Sequence, residues 1–74
     1  MSRLANVTAR ECISALQRAG FIVVRQAGSH IILRKGTYTP TVPNHPGNLK
    51  PGTLRSIIRQ ANLTVDEFLE LLEG

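Results

Sequence analysis

Hydrophobic residues recur along this chain with two different periods, and the switches between them mark out its elements. Ala9, Cys12, Ile13 and Leu16 fall at i, i+3, i+4 and i+7, one stripe of a helix. The stretch "TARE" (Thr8 to Glu11) has the form of a capping box, in which hydroxyl and carboxylate satisfy orphan backbone amides reciprocally. Gly20 is placed to end that helix, being free to adopt the left-handed conformation needed past a C-terminus. The period then changes. "FIVVR" is short and β-branched, "HIILRK" returns after the three-residue connection "QAG", and "TPTVPN" reads as a third strand. Its prolines suit an edge or a strand end. Helical spacing resumes with Leu54, Ile57, Ile58 and Ala61 behind Pro51, a residue suited to a first turn. Asn62 can close this helix, and a second capping box, Thr64 to Glu67, opens a third stripe of Val65, Phe68, Leu69 and Leu72.

The resulting order, α-β-β-β-α-α, predicts an α+β fold with helices on one face of a small antiparallel meander. At 74 residues and 42% apolar composition the chain reads as a single domain over 1–74 with one thin core. A lone cysteine leaves no internal disulfide and no cysteine metal cage, and its place inside an apolar stripe makes Cys12 a small buried hydrophobe. A reducing, cytoplasmic setting follows as the expectation. "MSRLANVTAR" lacks the apolar segment of a signal peptide, and no run approaches the ~20 apolar residues of a membrane span, so no membrane partner is expected.

Charge changes this picture by its distribution. Residues 1–59 hold all nine cations against Glu11 alone, a net +8, while residues 60–74 hold four acids and no cation, a net −4. A basic body of this kind suits a polyanion, of which nucleic acid is the commonest, the alternative being a solvated surface with chance asymmetry. Three aromatics, Phe21, Tyr38 and Phe68, provide no stacking platform, so phosphate contacts should dominate.

The chemical inventory is sparse. Nucleophile elbows and glycine-rich phosphate loops are absent, and His30, His45 and acids clustered on the last helix make a poor metal set, so neither a metal nor a small-molecule cofactor is expected. One reaction needs no more than a histidine among cations. In RNA the neighbouring 2′-hydroxyl is the nucleophile, and the protein has only to move protons and stabilise charge on phosphorus. His30 opens a strand after the hairpin turn, which suits either a proton-transfer group at the sheet rim or a polar residue capping the hairpin. Alternation places His30, Ile32 and Arg34 on one face, with Ser29, Ile31, Leu33 and Lys35 on the other. Arg55 and Arg59 share one side of the second helix. Lys50 stands just ahead of that helix, where the amides of Gly52 and Thr53 can receive a phosphate. His45, in "PNHPG", marks a rigid turn and is a secondary candidate.

Taken in order, "LQRAGF", then "GSH" at 28–30, "VPNH" at 42–45 and "GTLRSI" at 52–57 resemble the HicA family of mRNA-interferase toxins, from about Ile13 to Leu72. The resemblance implies a double-stranded-RNA-binding-like α-β-β-β-α fold, here with an extra C-terminal helix. It implies a metal-independent endoribonuclease that cuts mRNA and arrests translation, with His30 as its catalytic histidine, and a HicB-like antitoxin that covers the site. On that reading Gly28 sets the turn, Ser29 supports it, and Ser29, Arg34, Lys35, Lys50, Arg55 and Arg59 meet the RNA. The alternative is a non-catalytic RNA-binding module of the same fold.

Overall fold

A computed structural model describes residues 4–74; Met1 to Arg3, which include one cation of the basic body, lie outside the described residues. Its elements are α1 (Ala9–Arg18), β1 (Ile22–Ala27), β2 (His30–Arg34), β3 (Thr41–Pro43), α2 (Pro51–Gln60) and α3 (Val65–Glu73). The strands form one antiparallel sheet in the order β1-β2-β3, the meander that the alternation of periods predicts.

Local chemistry accounts for the helix boundaries. Thr8 Oγ1 accepts from the Glu11 amide at 3.2 Å, and Glu11 Oε1 accepts from the Thr8 amide at 2.9 Å. Thr64 and Glu67 repeat the arrangement at 3.1 and 2.8 Å. A side-chain cap of this type contributes about 1 kcal/mol. Gly20 (φ +102°) and Asn62 (φ +58°) take the left-handed conformation just past α1 and α2.

Packing follows the stripes. Cys12, Ala15 and Leu16 of α1, Ile31 and Leu33 of β2, Val42 of β3, Leu54, Ile57 and Ile58 of α2 and Phe68 of α3 make one core between sheet and helices. Ile13, Val65, Leu69 and Leu72 are only partly buried, so four of the expected stripe positions sit at the margin of that core. Burial pushes the Cys12 thiol up to about 12, which keeps it protonated and inert.

The hairpin departs from expectation in one respect. β1 runs on to Ala27, which pairs with His30, so the turn is the two-residue Gly28–Ser29 and not the three-residue "QAG". Gly28 has φ +60° while Ser29 keeps an ordinary φ, the type II′ pattern whose twist matches a hairpin. Gln26 Nε2 donates to the Gly28 carbonyl at 3.2 Å, and the Asn44 amide donates to the Ser29 carbonyl at 2.7 Å, tying the turn to both flanking segments. The ladder continues with Gln26 opposite Ile31 and Arg25 opposite Ile32, then breaks its register at a bulge around Val24. All six residues of β1 are exposed, so no helix covers this strand. The other edge is closed differently: Gln60 Oε1 of α2 accepts from the Thr41 amide at 3.1 Å.

Two outcomes test this description. Nothing stands within 4 Å of a Cβ built on Gly28, so Gly28→Ala should lower stability through backbone strain alone, by about 1–2 kcal/mol. A synthetic chain with D-alanine there should lose none of that, as thermal melts would show. Cys12 should resist alkylation at pH 8 in the folded protein and react once denaturant is added, a difference that mass spectrometry would read.

Candidate nucleic-acid interface

His30 is the first residue of β2 and stands at the rim of the sheet, directly after the Gly28–Ser29 turn. Its cross-strand neighbours are Ala27 on β1 and Pro43 on β3, one small and one unable to donate a backbone proton. The imidazole is exposed, and Ile31 and Leu33 turn inward to the core on either side of Ile32. The outward face of the sheet therefore consists of three rows. Ala27, His30 and Pro43 form the first; Arg25, Ile32 and Thr41 the second; Ile22 and Arg34 the third. Arg34 is exposed and lies roughly 13 Å along the strand from His30.

Beyond Pro43 the chain leaves the sheet through Asn44 and His45 into an open cleft of ≈ 310 Å³ that also takes in Lys50 and Thr53. This loop is held in place by its far end. The Leu49 amide donates to the Val7 carbonyl at 2.7 Å, and Thr8 forms an isolated antiparallel bridge with Asn48. Lys50 is the N-cap of α2 and makes no side-chain capping bond, with Pro51 behind it. The first turn of α2 thus opens where Lys50 and His45 converge, next to the row that carries His30.

Lys35, Arg18, Arg55 and Arg59 are not brought to this edge. Lys35 Nζ donates to the Ala19 carbonyl at 2.6 Å and stands 5.9 Å over the Phe21 ring, so it serves the C-terminal end of α1. Arg18 does the same for α3, donating to the Leu71 carbonyl at 2.7 Å. At ~100° per residue, Arg55 and Arg59 occupy the flank of α2 opposite Thr53 and Gln60, the residues that face β3 and the cleft. They line a separate depression with Leu63, Thr64 and Val65.

Two further cations join the picture. Arg25 faces outward because the turn has two residues; a three-residue loop would pair it with Ser29 and turn it toward the helices. The signal was available in the glycine–serine pair, which fits a II′ turn. Arg10 lines an open depression of ≈ 580 Å³ together with Ile13, Ser14, Gln17 and Asn44, bordering the Gly28–Ser29 turn through Asn44. No sequence signal distinguishes it from any other arginine on an exposed helix face.

Of the five acids, Glu11 closes the capping box at the start of α1 and the other four sit together on the last helix. Asp66, Glu67, Glu70 and Glu73 all belong to α3, which packs in the helix layer against α1. Among the described residues, no group of three or more histidine, cysteine or carboxylate side chains is placed to hold a metal ion, and no helix is long and apolar enough to cross a membrane.

Comparison with curated proteins returns no match. A family model does match, that of the HicA toxin of bacterial toxin–antitoxin systems, over residues 9–63, which takes in α1, the whole sheet and α2. With well over half of its 74 residues matched, this chain belongs to the HicA toxin family.

Proposed function

We propose that this toxin acts by cutting mRNA, with His30 as a general acid/base and without a metal ion. The observation that carries the reading is the outward face of the sheet: an exposed histidine, fixed by a rigid turn, on a surface that bears arginines and no acid. The 2′ oxygen forms a bond to phosphorus, the bond from phosphorus to the 5′ oxygen breaks, and the products are a 2′,3′-cyclic phosphate and a free 5′-hydroxyl. A neutral imidazole takes the 2′ proton; a protonated one delivers a proton to the leaving 5′ oxygen. His45 is the second imidazole on this edge, two residues beyond the strand partner of His30. Arg34 and Lys50 hold neighbouring phosphates, with Ser29 supporting the turn, while Arg55 and Arg59, on the far flank of α2, would meet only RNA that continues past this edge.

As a member of a toxin–antitoxin family the chain has an antitoxin as partner. A HicB-like protein that neutralises it would cover His30 and the outward face, and the cations there call for acidic residues on its contacting surface.

His30→Ala should reduce RNA cleavage in the presence of a chelator by about 10²- to 10⁴-fold and abolish growth arrest, with the melting temperature unchanged. RNA binding with no cleavage product from the wild-type chain would replace this reading with that of a non-catalytic RNA-binding module. In the His30→Ala background, Arg34→Ala should lower the slope of log affinity against log salt by about 0.7, the share of one phosphate on a single strand. Lys35→Met should leave that slope alone and lower the melting temperature instead, because its ammonium is engaged at the end of α1.

A further inference from the structure

A single rim histidine leaves one demand of the reaction unmet, a cation close enough to hold the phosphate that is being attacked. Arg34 is two rows from His30 and too distant for that task. The register supplies another. Arg25 lies opposite Ile32, which is two residues from His30 on the same face, so Arg25 and His30 are diagonal neighbours across the hairpin, about 7–8 Å apart in backbone terms. Between them on β1 stands Ala27, whose methyl group leaves the space along the strand open. Arg25 is exposed, and no helix lies over its strand. The bulge beyond it, at Val24, falls on the side away from His30 and leaves the pairs from Arg25 to the turn in regular register.

From this juxtaposition we infer that Arg25 is a catalytic residue whose guanidinium binds the non-bridging oxygens of the scissile phosphate. The inference rests on the nuclease reading above. As the bond from the 2′ oxygen forms and the bond to the 5′ oxygen breaks, negative charge accumulates on those two oxygens, and a planar guanidinium meets both at once. His30 handles the protons, Arg25 the charge, and Arg34 a neighbouring phosphate of the same strand. The three residues therefore divide by kinetic parameter: Arg25 acts on the transition state and Arg34 on binding of the chain.

The test compares wild type, Arg25→Gln, Arg34→Gln and the exchange Arg25→Gln/Gln26→Arg on one RNA oligonucleotide. The exchange keeps composition and net charge but moves the guanidinium to the other side of the sheet. Arg25→Gln should lose about 10²-fold in kcat with KM nearly unchanged, and the exchange should lose as much. Arg34→Gln should raise KM with kcat nearly intact. Added guanidinium ion should restore part of the Arg25→Gln activity. Wild-type kcat in Arg25→Gln, or full activity in the exchange, overturns this inference while His30-dependent cleavage still stands. A loss confined to KM does so too. Absence of cleavage by the wild type overturns the nuclease reading and this inference with it.

Discussion

The two-residue turn at Gly28–Ser29 governs which side chains of the hairpin look toward the helices and which look away. Side chains alternate along a strand with a period of two, so adding a single residue to the turn would reverse every assignment on β1. The register is held by three unrelated devices: a glycine at positive φ, the Gln26 side chain on the Gly28 carbonyl, and the Asn44 amide on the Ser29 carbonyl. The core reinforces them. Ile31 and Leu33 are buried against the helices, and a slipped β2 would exchange them for His30 and Arg34. Residue placement on the outward face is thus a by-product of forces that act on the inward one.

That coupling explains how so short a chain divides its cations. Lys35 and Arg18 are engaged by carbonyls at helix C-termini, where backbone dipoles favour positive charge, and they hold layers of the fold together. Arg25 and Arg34 are directed outward by alternation, and Lys50 is placed at the start of α2 by the pairing of the preceding loop with the segment ahead of α1. Net charge alone treats these groups as equivalent. The sheet register and the helix ends separate those that shape the protein from those free to meet a polyanion.

An interface of this form would suit the polymeric target proposed above. The histidine stands exposed on a rim, accessible to a strand laid across it. On the proposed reading the chain would supply orientation, protons and charge, while RNA would bring its own nucleophile. The same exposure makes the surface easy to occlude, which is what an antitoxin requires. The four acids of α3 belong to the helix layer and not to this face.

Much of the architecture is legible in the sequence because its causes are local. Capping boxes at Thr8 and Thr64, apolar stripes, and residues fit for left-handed conformations at Gly20 and Asn62 act within a few positions of themselves, so pattern suffices to locate three helices. Alternation in "HIILR" likewise determines that His30 and Arg34 share a face. What pattern does not decide is anything that depends on pairing across the chain. Arg25 acquires its face from the length of a turn, Lys35 its role from a carbonyl sixteen residues away, and Lys50 its place beside the cleft from a bridge between its loop and the segment ahead of α1. Each is a long-range contact whose geometry exists only once the core has closed, and the candidate site is built from such contacts.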